Sequence, residues 1–130
     1  MNQSEVNKIL KKHQIWIKSK GKKGEKADFK RKKLIDLNFE EANLEQASFK
    51  NVEIEDCNFD NANLENVDFT KSYINGACFT SANLKGAKFV KTLLYYVDFE
   101  KANLTNTDFT GSEQEQIELQ DAILKNTIGI

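Results

Sequence analysis

Phenylalanine recurs every ten residues through the middle of this chain, and this period constrains the fold more than any other feature. All nine phenylalanines fall on it: Phe29, Phe39, Phe49, Phe59, Phe69, Phe79, Phe89, Phe99 and Phe109. A leucine or isoleucine lies midway between each pair, at Leu34, Leu44, Ile54, Leu64, Ile74, Leu84, Leu94 and Leu104. The resulting five-residue period fits neither the 3.6-residue repeat of a helix nor the two-residue repeat of a flat strand.

The spacing within each five-residue unit indicates a short strand followed by a turn. A smaller residue, such as Ala42 or Val67, usually lies two positions before the large one, and strand side chains two apart share a face. The tripeptide Ala-Asn-Leu recurs every twenty residues, at 42–44, 62–64, 82–84 and 102–104. A fifteen-residue coil would stack phenylalanine on leucine or isoleucine, whereas a twenty-residue coil stacks phenylalanine on phenylalanine and leucine on leucine. We therefore predict a four-sided solenoid with coils about 4.8 Å apart.

These units resemble the repeat of the pentapeptide repeat family, commonly written A-(D/N)-L-x-x. The resemblance covers residues 27–111 without a break in register. It implies an all-β solenoid, a right-handed quadrilateral β-helix of about four to five coils built from pentapeptide repeats. We expect residues 27–111 to form this β-helix.

Residues 1–26 are predicted to form an amphipathic capping helix and a basic linker. One apolar stripe at helical spacing contains Val6, Ile9, Leu10, His13, Trp16 and Ile17. The pattern predicts a helix from about residue 5 to 19, with Ser4 as the N-cap and Gly21 as the stop. Because a solenoid end needs a cover, we interpret this helix as a lid; a membrane-surface helix is the alternative. The lone His13 is expected to be packed and hydrogen-bonded.

The charge is divided unevenly along the chain. Residues 1–33 carry twelve Lys or Arg against three acids, whereas residues 34–130 carry seven Lys against seventeen acids. The stretch 18–33 is interpreted as a solvated linker, with contact to an anionic partner left open, since it lacks the spacing of a phosphate loop and a platform of aromatics. No signal-like or membrane-spanning segment is evident, so we expect a soluble cytoplasmic protein. The inward Cys57 and the outward Cys78 are not expected to pair.

Residues 112–130 are predicted to form an irregular last coil and a C-terminal cap. The apolar register resumes from 117 to 124, but Gln114 stands where the next large apolar residue belongs. The run Ser112 to Glu115 has the spacing of a capping box. We expect a fifth coil with one helical corner, closed by Ile128 and Ile130; a helix over 112–125 is the alternative.

Nothing in the sequence indicates catalysis. A filled interior leaves no convergent pocket, and no Cys–His pairing, metal-ligand spacing or glycine-rich phosphate loop is present. We predict no enzyme activity, no cofactor, no metal and no small-molecule substrate.

The outward residues of one side are unusual and make the first candidate site. Where other sides carry polar residues, the later coils here carry Tyr73, Leu93, Tyr95 and Tyr96, with Lys88 and Lys91 on the preceding side. Exposed aromatic clusters are typical of protein-binding surfaces. The sequence therefore predicts a protein-interaction module whose partner is unidentified. Self-association, giving a homo-oligomer, and coverage of this surface by the C-terminal tail are the alternatives.

Acidic residues on the other sides make the second candidate site: Glu40, Glu41, Glu45, Asp60 and Glu65. The resemblance implies an alternative function here, because some pentapeptide repeat proteins mimic the shape and charge of DNA and bind a type II topoisomerase such as gyrase. A rod of five coils spans only about 24 Å, and Lys71, Lys85, Lys88 and Lys91 interrupt its acidic character. Neither direct nucleic-acid binding nor membrane binding is expected.

Overall fold

The computed structural model describes all residues, Met1–Ile130, as one helix followed by a parallel β-solenoid. Helix α1 spans Gln3–Lys18, and five short strands follow: β1 Lys33–Ile35, β2 Glu53–Glu55, β3 Tyr73–Asn75, β4 Leu93–Tyr95 and β5 Glu113–Glu115. The strands pair in chain order in one parallel sheet. Each residue pairs with the residue twenty positions later, as Leu34 does with Ile54 and then Ile74, so the predicted four-sided coil is confirmed.

The four sides are named here by their position in the first coil. Face 1 begins with residues 27–31, face 2 with 32–36, face 3 with 37–41 and face 4 with 42–46, and each recurs every twenty residues. Face 2 carries strands β1–β5. The other faces are joined by single parallel bridges of the same register, such as Asp28 with Ser48, Asn38 with Asn58, and Asn43 with Asn63.

The interior is filled by aromatic and aliphatic columns. Phenylalanines one coil apart stack face to face, with ring centroids 4.7 Å apart for Phe39 and Phe59 and 5.3 Å apart for Phe79 and Phe99. Rings on opposite sides meet edge to face, as Phe59 and Phe69 do at 6.3 Å. Because offset-stacked and edge-to-face pairs are both favourable for aromatic rings, this packing stabilises the core beyond the burial of apolar area.

The corners depend on residues in the left-handed backbone region. The second residue after each large apolar residue has a positive φ, for example Asn61 at 59° and Gly86 at 72°. On faces 1, 3 and 4 a short turn closes behind it, as when the Ala42 N–H donates to the Phe39 carbonyl at 3.1 Å. Asn, Asp and Gly tolerate this conformation better than other residues do, which explains their frequency at the corners.

Helix α1 covers the first coil, so its role as a lid is confirmed. Val6 and His13 are fully buried, and Ile9 and Leu10 pack against the core. The His13 Nδ1 accepts the Ala27 N–H at 2.9 Å, and its Nε2 lies 3.0 Å from the Glu45 carbonyl. The neutral ring therefore carries its proton on Nε2 and donates it to Glu45. His13 is the packed, hydrogen-bonded residue that the sequence predicted.

The predicted start of α1 was wrong by two residues. Asn2, not Ser4, is the N-cap: its side chain accepts the Glu5 N–H at 2.9 Å, while the Glu5 carboxylate accepts the Asn2 N–H at 3.4 Å. At the other end Gly21 donates to the Trp16 carbonyl at 2.8 Å. Asn2 is the N-cap in place of Ser4 because the side chains of Asn2 and Glu5 each accept the other's backbone N–H in a capping box.

The C-terminal segment also differs from its prediction. Residues 113–115 form strand β5, and the bridge between Asp108 and Ile128 continues the register, so the coil is regular and contains neither a helical corner nor a helix. The Gln114 amide is satisfied by the Ser112 hydroxyl at 2.7 Å and the Gly129 carbonyl at 2.9 Å. Ile128 and Ile130 do not close the coil, since they are 54% and 40% exposed.

Candidate functional site

The outward columns of face 2 bring the predicted aromatic residues together. Tyr73 of β3 lies beside Leu93 of β4 in the strand register, and Asn75 lies beside Tyr95. The Tyr73 and Tyr95 rings are 5.9 Å apart at an interplanar angle of 55°. The Asn75 amide donates to the Tyr73 hydroxyl at 3.1 Å, which fixes the first ring. We call Tyr73, Leu93, Tyr95 and Tyr96 the aromatic patch.

Tyr96 is the most exposed member of the patch and has an unusual backbone. It occupies the corner after β4 with φ of 52°, and 67% of its surface is accessible. The other corner residues with positive φ are polar, charged or glycine. A bulky residue in the left-handed region is rare because its Cβ approaches the backbone closely. Tyr96 thus occupies a corner where Asn or Gly would fit with less strain.

The corner residue directly below Tyr96 is a glycine, which has no side chain. Gly76 precedes Tyr96 by one coil, and the carboxylate of Asp56, one coil lower still, leans over it. A Cβ at Gly76 would clash with the Asp56 Oδ1. The carboxylate of Asp56 therefore occupies the space beside Gly76, one coil below Tyr96.

Acidic residues border the aromatic patch above and below on face 2. Glu53 and Glu55 lie in β2, one coil below Tyr73 and Asn75. Glu113 and Glu115 lie in β5, beside Leu93 and Tyr95 respectively. Desolvation, followed by the charges of Glu113 and Glu115, raises the pKa of the Tyr95 phenol. The patch is therefore an apolar centre between two acidic rows.

The two predicted lysines lie apart from the patch centre. Lys91 occupies the corner between faces 1 and 2, with φ of 55°. Lys88 lies on face 1, where its backbone forms parallel β-bridges with Asp68 and Asp108. Its side chain lines an open groove on this face together with Lys50. Burial would raise the pKa of Asp68, but hydrogen bonds from Thr70 and the ammonium of Lys50, 3.5 Å away, hold it below its usual range.

The acidic candidate residues occupy two other faces. Glu40, Glu41 and Asp60 follow the large apolar residues of face 3, and Glu45 and Glu65 lie on face 4. All five belong to the first two coils. The corresponding face 4 position of the third coil is Lys85, so the structure does not extend these acids into a continuous row. We call these five residues the acidic surface.

The groups that could act as nucleophiles or bases lie apart from each other. Burial raises the pKa of the Cys57 thiol to about 11 and lowers that of His13. Both residues are buried, with His13 held between α1 and the first coil. No group of three or more His, Cys, Asp or Glu side chains is placed to hold a metal ion. No helix has the length and apolar content needed to span a bilayer.

Comparisons with known proteins agree with this geometry. The model of the pentapeptide repeat region matches residues 25–94 and 52–127, which together cover most of the chain. The chain belongs to the pentapeptide repeat family. No curated protein sequence matches it.

Solved pentapeptide repeat structures share the fold at low identity. Rfr23 from the cyanobacterium Cyanothece 51142 is 18% identical, with a TM-score of 0.74 over 78% of this chain and 82% of that one. A pentapeptide repeat protein from Nostoc PCC 7120 is 17% identical, with a TM-score of 0.60 over 87% and 92%. QnrB1, a plasmid-mediated fluoroquinolone resistance protein, is 22% identical, with a TM-score of 0.58 over 69% of this chain and 46% of that one.

The sequence did not single out four residues that complete the surroundings of the patch: Asp56, Gly76, Glu113 and Glu115. Their signal was available in the twenty-residue register, which places 76 below 96 and 113 above 93. For β5 this signal is masked, because the polar Gln114 interrupts the column of large apolar residues.

Proposed function

We propose that this chain is a cytoplasmic, non-enzymatic module that binds another protein through the aromatic patch of face 2. The observation that carries the proposal is the exposure of Tyr96, 67%, at a corner whose conformation disfavours it. Backbone strain of this kind is concentrated at functional sites. The patch adds a partly exposed Leu93, 37%, and two contacting tyrosine rings.

The shape of the molecule supports binding rather than catalysis. The interior is occupied by stacked side chains, with Phe49, Phe69 and Phe89 fully buried, so a substrate has no enclosed cavity to enter. Aromatic residues on a rigid sheet lose little conformational freedom on binding, which makes them effective contact residues. Both cysteines are free thiols, which is compatible with the reducing conditions of the cytoplasm.

A DNA-mimic function, directed at a type II topoisomerase such as gyrase, is the second candidate. The observation that favours it is the set of carboxylates on the acidic surface, on a fold shared with QnrB1. The distribution of charge makes this second candidate weaker than binding through the aromatic patch. The residues of the acidic surface lie only in the first two coils, and face 1 is lysine-rich.

Affinity capture from a lysate of the source cells tests the proposal. The wild type is compared with a Tyr73→Ser, Tyr95→Ser, Tyr96→Ser variant and with a Glu40→Gln, Glu41→Gln, Asp60→Asn variant as the matched control. We expect a protein that is captured by the wild type and the control but lost in the tyrosine variant. Topoisomerase subunits that the tyrosine variant retains and the control loses would instead establish the second candidate.

Salt separates the two candidates a second time. At 0.5 M salt the screening length falls to about 4–5 Å, which weakens contacts between exposed charges. We expect capture through the aromatic patch to persist at that salt concentration. Loss of all capture there would contradict a patch-centred interface and would favour the acidic surface.

A further inference from the structure

The charges around the aromatic patch specify the chemistry of its partner. From β1 to β5, one outward column of face 2 reads Lys33, Glu53, Tyr73, Leu93, Glu113, and the neighbouring column reads Ile35, Glu55, Asn75, Tyr95, Glu115. From β2 to β5, each column begins and ends with a glutamate; Tyr73 and Leu93 lie between them in the first column, and Asn75 and Tyr95 in the second. The patch is thus enclosed by negative charge along the solenoid axis.

Most of these carboxylates have no cationic partner within the chain. The ion pairs of the structure are Lys12 with Glu25, Lys33 with Glu53, and Lys50 with Asp68. Glu53 is therefore paired at 3.6 Å, whereas Glu55, Glu113 and Glu115 are not. The carboxylate of Asp56 likewise has no such partner, and it lies against Gly76, one coil below Tyr96.

Positive charge lies directly beside the patch at one corner, and Lys33 lies two coils below Tyr73, where it pairs with Glu53. Lys71 and Lys91 occupy the corner between faces 1 and 2 in the third and fourth coils, level with the aromatic side chains. A bound cation at the centre of the patch would therefore be repelled by these lysines, whereas cations above and below it would meet carboxylates. The complementary ligand has an apolar centre between two positive ends.

The dimensions of the sheet fix the spacing of such a ligand. From β2 to β5 there are three strand steps, about 14 Å at the usual strand separation. An extended peptide rises about 3.3 Å per residue and points alternate side chains to one face, so residues i, i+2 and i+4 cover that distance. A phenol ring also attracts a cation placed over its face, so the exposed Tyr96 adds to the attraction that the carboxylates exert on a cation.

We propose that the partner of the aromatic patch presents an extended segment with two basic residues four positions apart and an apolar residue midway. The segment lies along the solenoid axis, its apolar side chain on Tyr73, Leu93 and Tyr95. Its basic residues pair with Glu113 and Glu115 at one end and with Glu55 and Asp56 at the other. This inference rests on the proposed function and specifies the charge and spacing that the partner must have.

Synthetic peptides test the inference without knowledge of the natural partner. The probe is the labelled peptide Ser-Arg-Ser-Leu-Ser-Arg-Ser, followed by fluorescence anisotropy at low salt. Two control peptides replace both arginines by glutamine or by glutamate. Two triple variants of the protein are compared with the wild type. The face 2 variant is Glu55→Gln, Glu113→Gln, Glu115→Gln. Its control, with the same change in charge on faces 3 and 4, is Glu40→Gln, Glu41→Gln, Glu65→Gln.

We expect the arginine peptide to bind the wild type more tightly than either control peptide. The face 2 variant should weaken its binding about tenfold, because two or three exposed ion pairs are lost together and each contributes a modest factor. The variant on faces 3 and 4 should bind it within about twofold of the wild type, and 0.5 M salt should remove the advantage over the glutamine peptide.

Three results would overturn the inference. The first is no detectable binding of the arginine peptide. The second is equal binding of that peptide to the wild type and to the face 2 variant. The third is binding that only the variant on faces 3 and 4 weakens. If the glutamine peptide binds as tightly as the arginine peptide and is lost in the Tyr73→Ser, Tyr95→Ser, Tyr96→Ser variant, the charge requirement fails. The proposed use of the patch would stand in that case.

Discussion

Tyr96 is a bulky residue at a corner position that small or polar residues occupy in the other coils. The same column holds Asp36, Asp56 and Gly76 in the coils below it, all at positive φ. Asp and Gly reach this conformation at little cost, whereas a bulky L-residue there is strained by roughly 1–2 kcal/mol. The side chain gains little burial in return, because two thirds of its surface stays exposed.

Replacing Tyr96 by asparagine is therefore expected to stabilise the fold. We predict that Tyr96→Asn raises the free energy of unfolding by about 0.5–1 kcal/mol, part of the strain of a left-handed Tyr. Urea unfolding measures the change. Tyr73→Asn is the control: its residue lies in β3, where asparagine is disfavoured, and it should not gain stability. A loss of stability in Tyr96→Asn would contradict the strain argument.

The buried His13 makes stability depend on pH. Burial lowers its pKa below the ordinary 6.5. The hydrogen bond to Glu45 opposes this shift in part, and the charge of Lys26 adds to it. As pH falls below 6.5, the unfolded chain binds a proton that the folded chain does not. Stability is then lost by up to about 1.4 kcal/mol per pH unit until the folded-state pKa is reached.

We therefore expect the free energy of unfolding to fall between pH 7.5 and 5.5 in the wild type. His13 is the only histidine, so a His13→Gln variant should be nearly flat over the same range, although less stable at pH 7.5. Urea unfolding at several pH values measures both. Equal slopes in the two proteins would contradict this account.

The two cysteines are predicted to differ in reactivity. Cys57 is buried and its pKa is raised to about 11, whereas Cys78 is only partly buried on face 3, where burial also raises its pKa. Because the thiolate is the reactive form, a thiol reagent should modify Cys78 first and Cys57 only when the coil opens. Mass spectrometry of the labelled protein shows the order, and labelling in urea, where both should react alike, is the control. Early modification of Cys57 in the native protein would contradict the packing described.

At the scale of elements, helix α1 replaces the backbone of a missing coil. The Gln3 side chain forms the two hydrogen bonds that a neighbouring strand would form: its Nε2 donates to the Asn38 carbonyl, and its Oε1 accepts the Asn38 N–H, both at 2.8 Å. His13 does the same for Ala27 and Glu45. The exposed edge of the first coil is satisfied in this way by side chains, which protects it from pairing with other chains.

Removal of the Gln3 amide should weaken the attachment of α1. We predict that Gln3→Ala lowers the free energy of unfolding by about 1–2 kcal/mol, since two backbone groups of Asn38 lose their partners. Gln14→Ala removes the same side chain from the exposed side of α1 and should be nearly neutral. Thermal unfolding of the two variants gives the comparison, and equal effects would show that the Gln3 contacts contribute nothing.

The elements that could be predicted were those fixed by repetition. Stacked identical side chains leave only one register, so the twenty-residue period was enough to predict four faces and the pairing of Leu34 with Ile54. The start of α1 could not be placed, because Asn2 and Ser4 are both good N-caps and only the bond to Glu5 decides between them. The tail was predicted irregular because a half-buried Gln114 costs free energy unless its amide finds partners, and those partners are visible only in three dimensions.

At the scale of the whole molecule, opposite faces carry opposite charge. Face 1 carries Lys30, Arg31, Lys50, Lys71, Lys88 and Lys91, against three aspartates. Face 3, across the core, carries Glu40, Glu41, Asp60, Asp98, Glu100, Glu118 and Asp121, against Lys101. This polarity orients the molecule in the field of a charged partner. The aromatic patch on face 2 lies between the two.

The sequence predicted the members of the aromatic patch but not its surroundings. The tyrosines stand out because the coils outside the patch carry mostly polar residues in the same columns, with Ile35 as an apolar exception. The acidic rows could not be recognised, since Glu113 and Glu115 belong to a strand that was not expected. The lack of a side chain at Gly76 becomes meaningful only when the Asp56 carboxylate is seen to occupy that space. Whether side chains in one column are paired or free depends on rotamers that a linear pattern does not contain.

The most direct test of the account uses the tyrosines themselves. The chain contains three tyrosines, Tyr73, Tyr95 and Tyr96, and all three belong to the aromatic patch, so a tyrosine-specific reagent reads this surface without any mutation. The measurement is the iodination rate of each tyrosine, by mass spectrometry, in the free protein and in its complex with the captured partner. We predict that the complex protects all three, Tyr96 most strongly. An intact complex in which Tyr96 is labelled as fast as in the free protein would show that the partner binds another face.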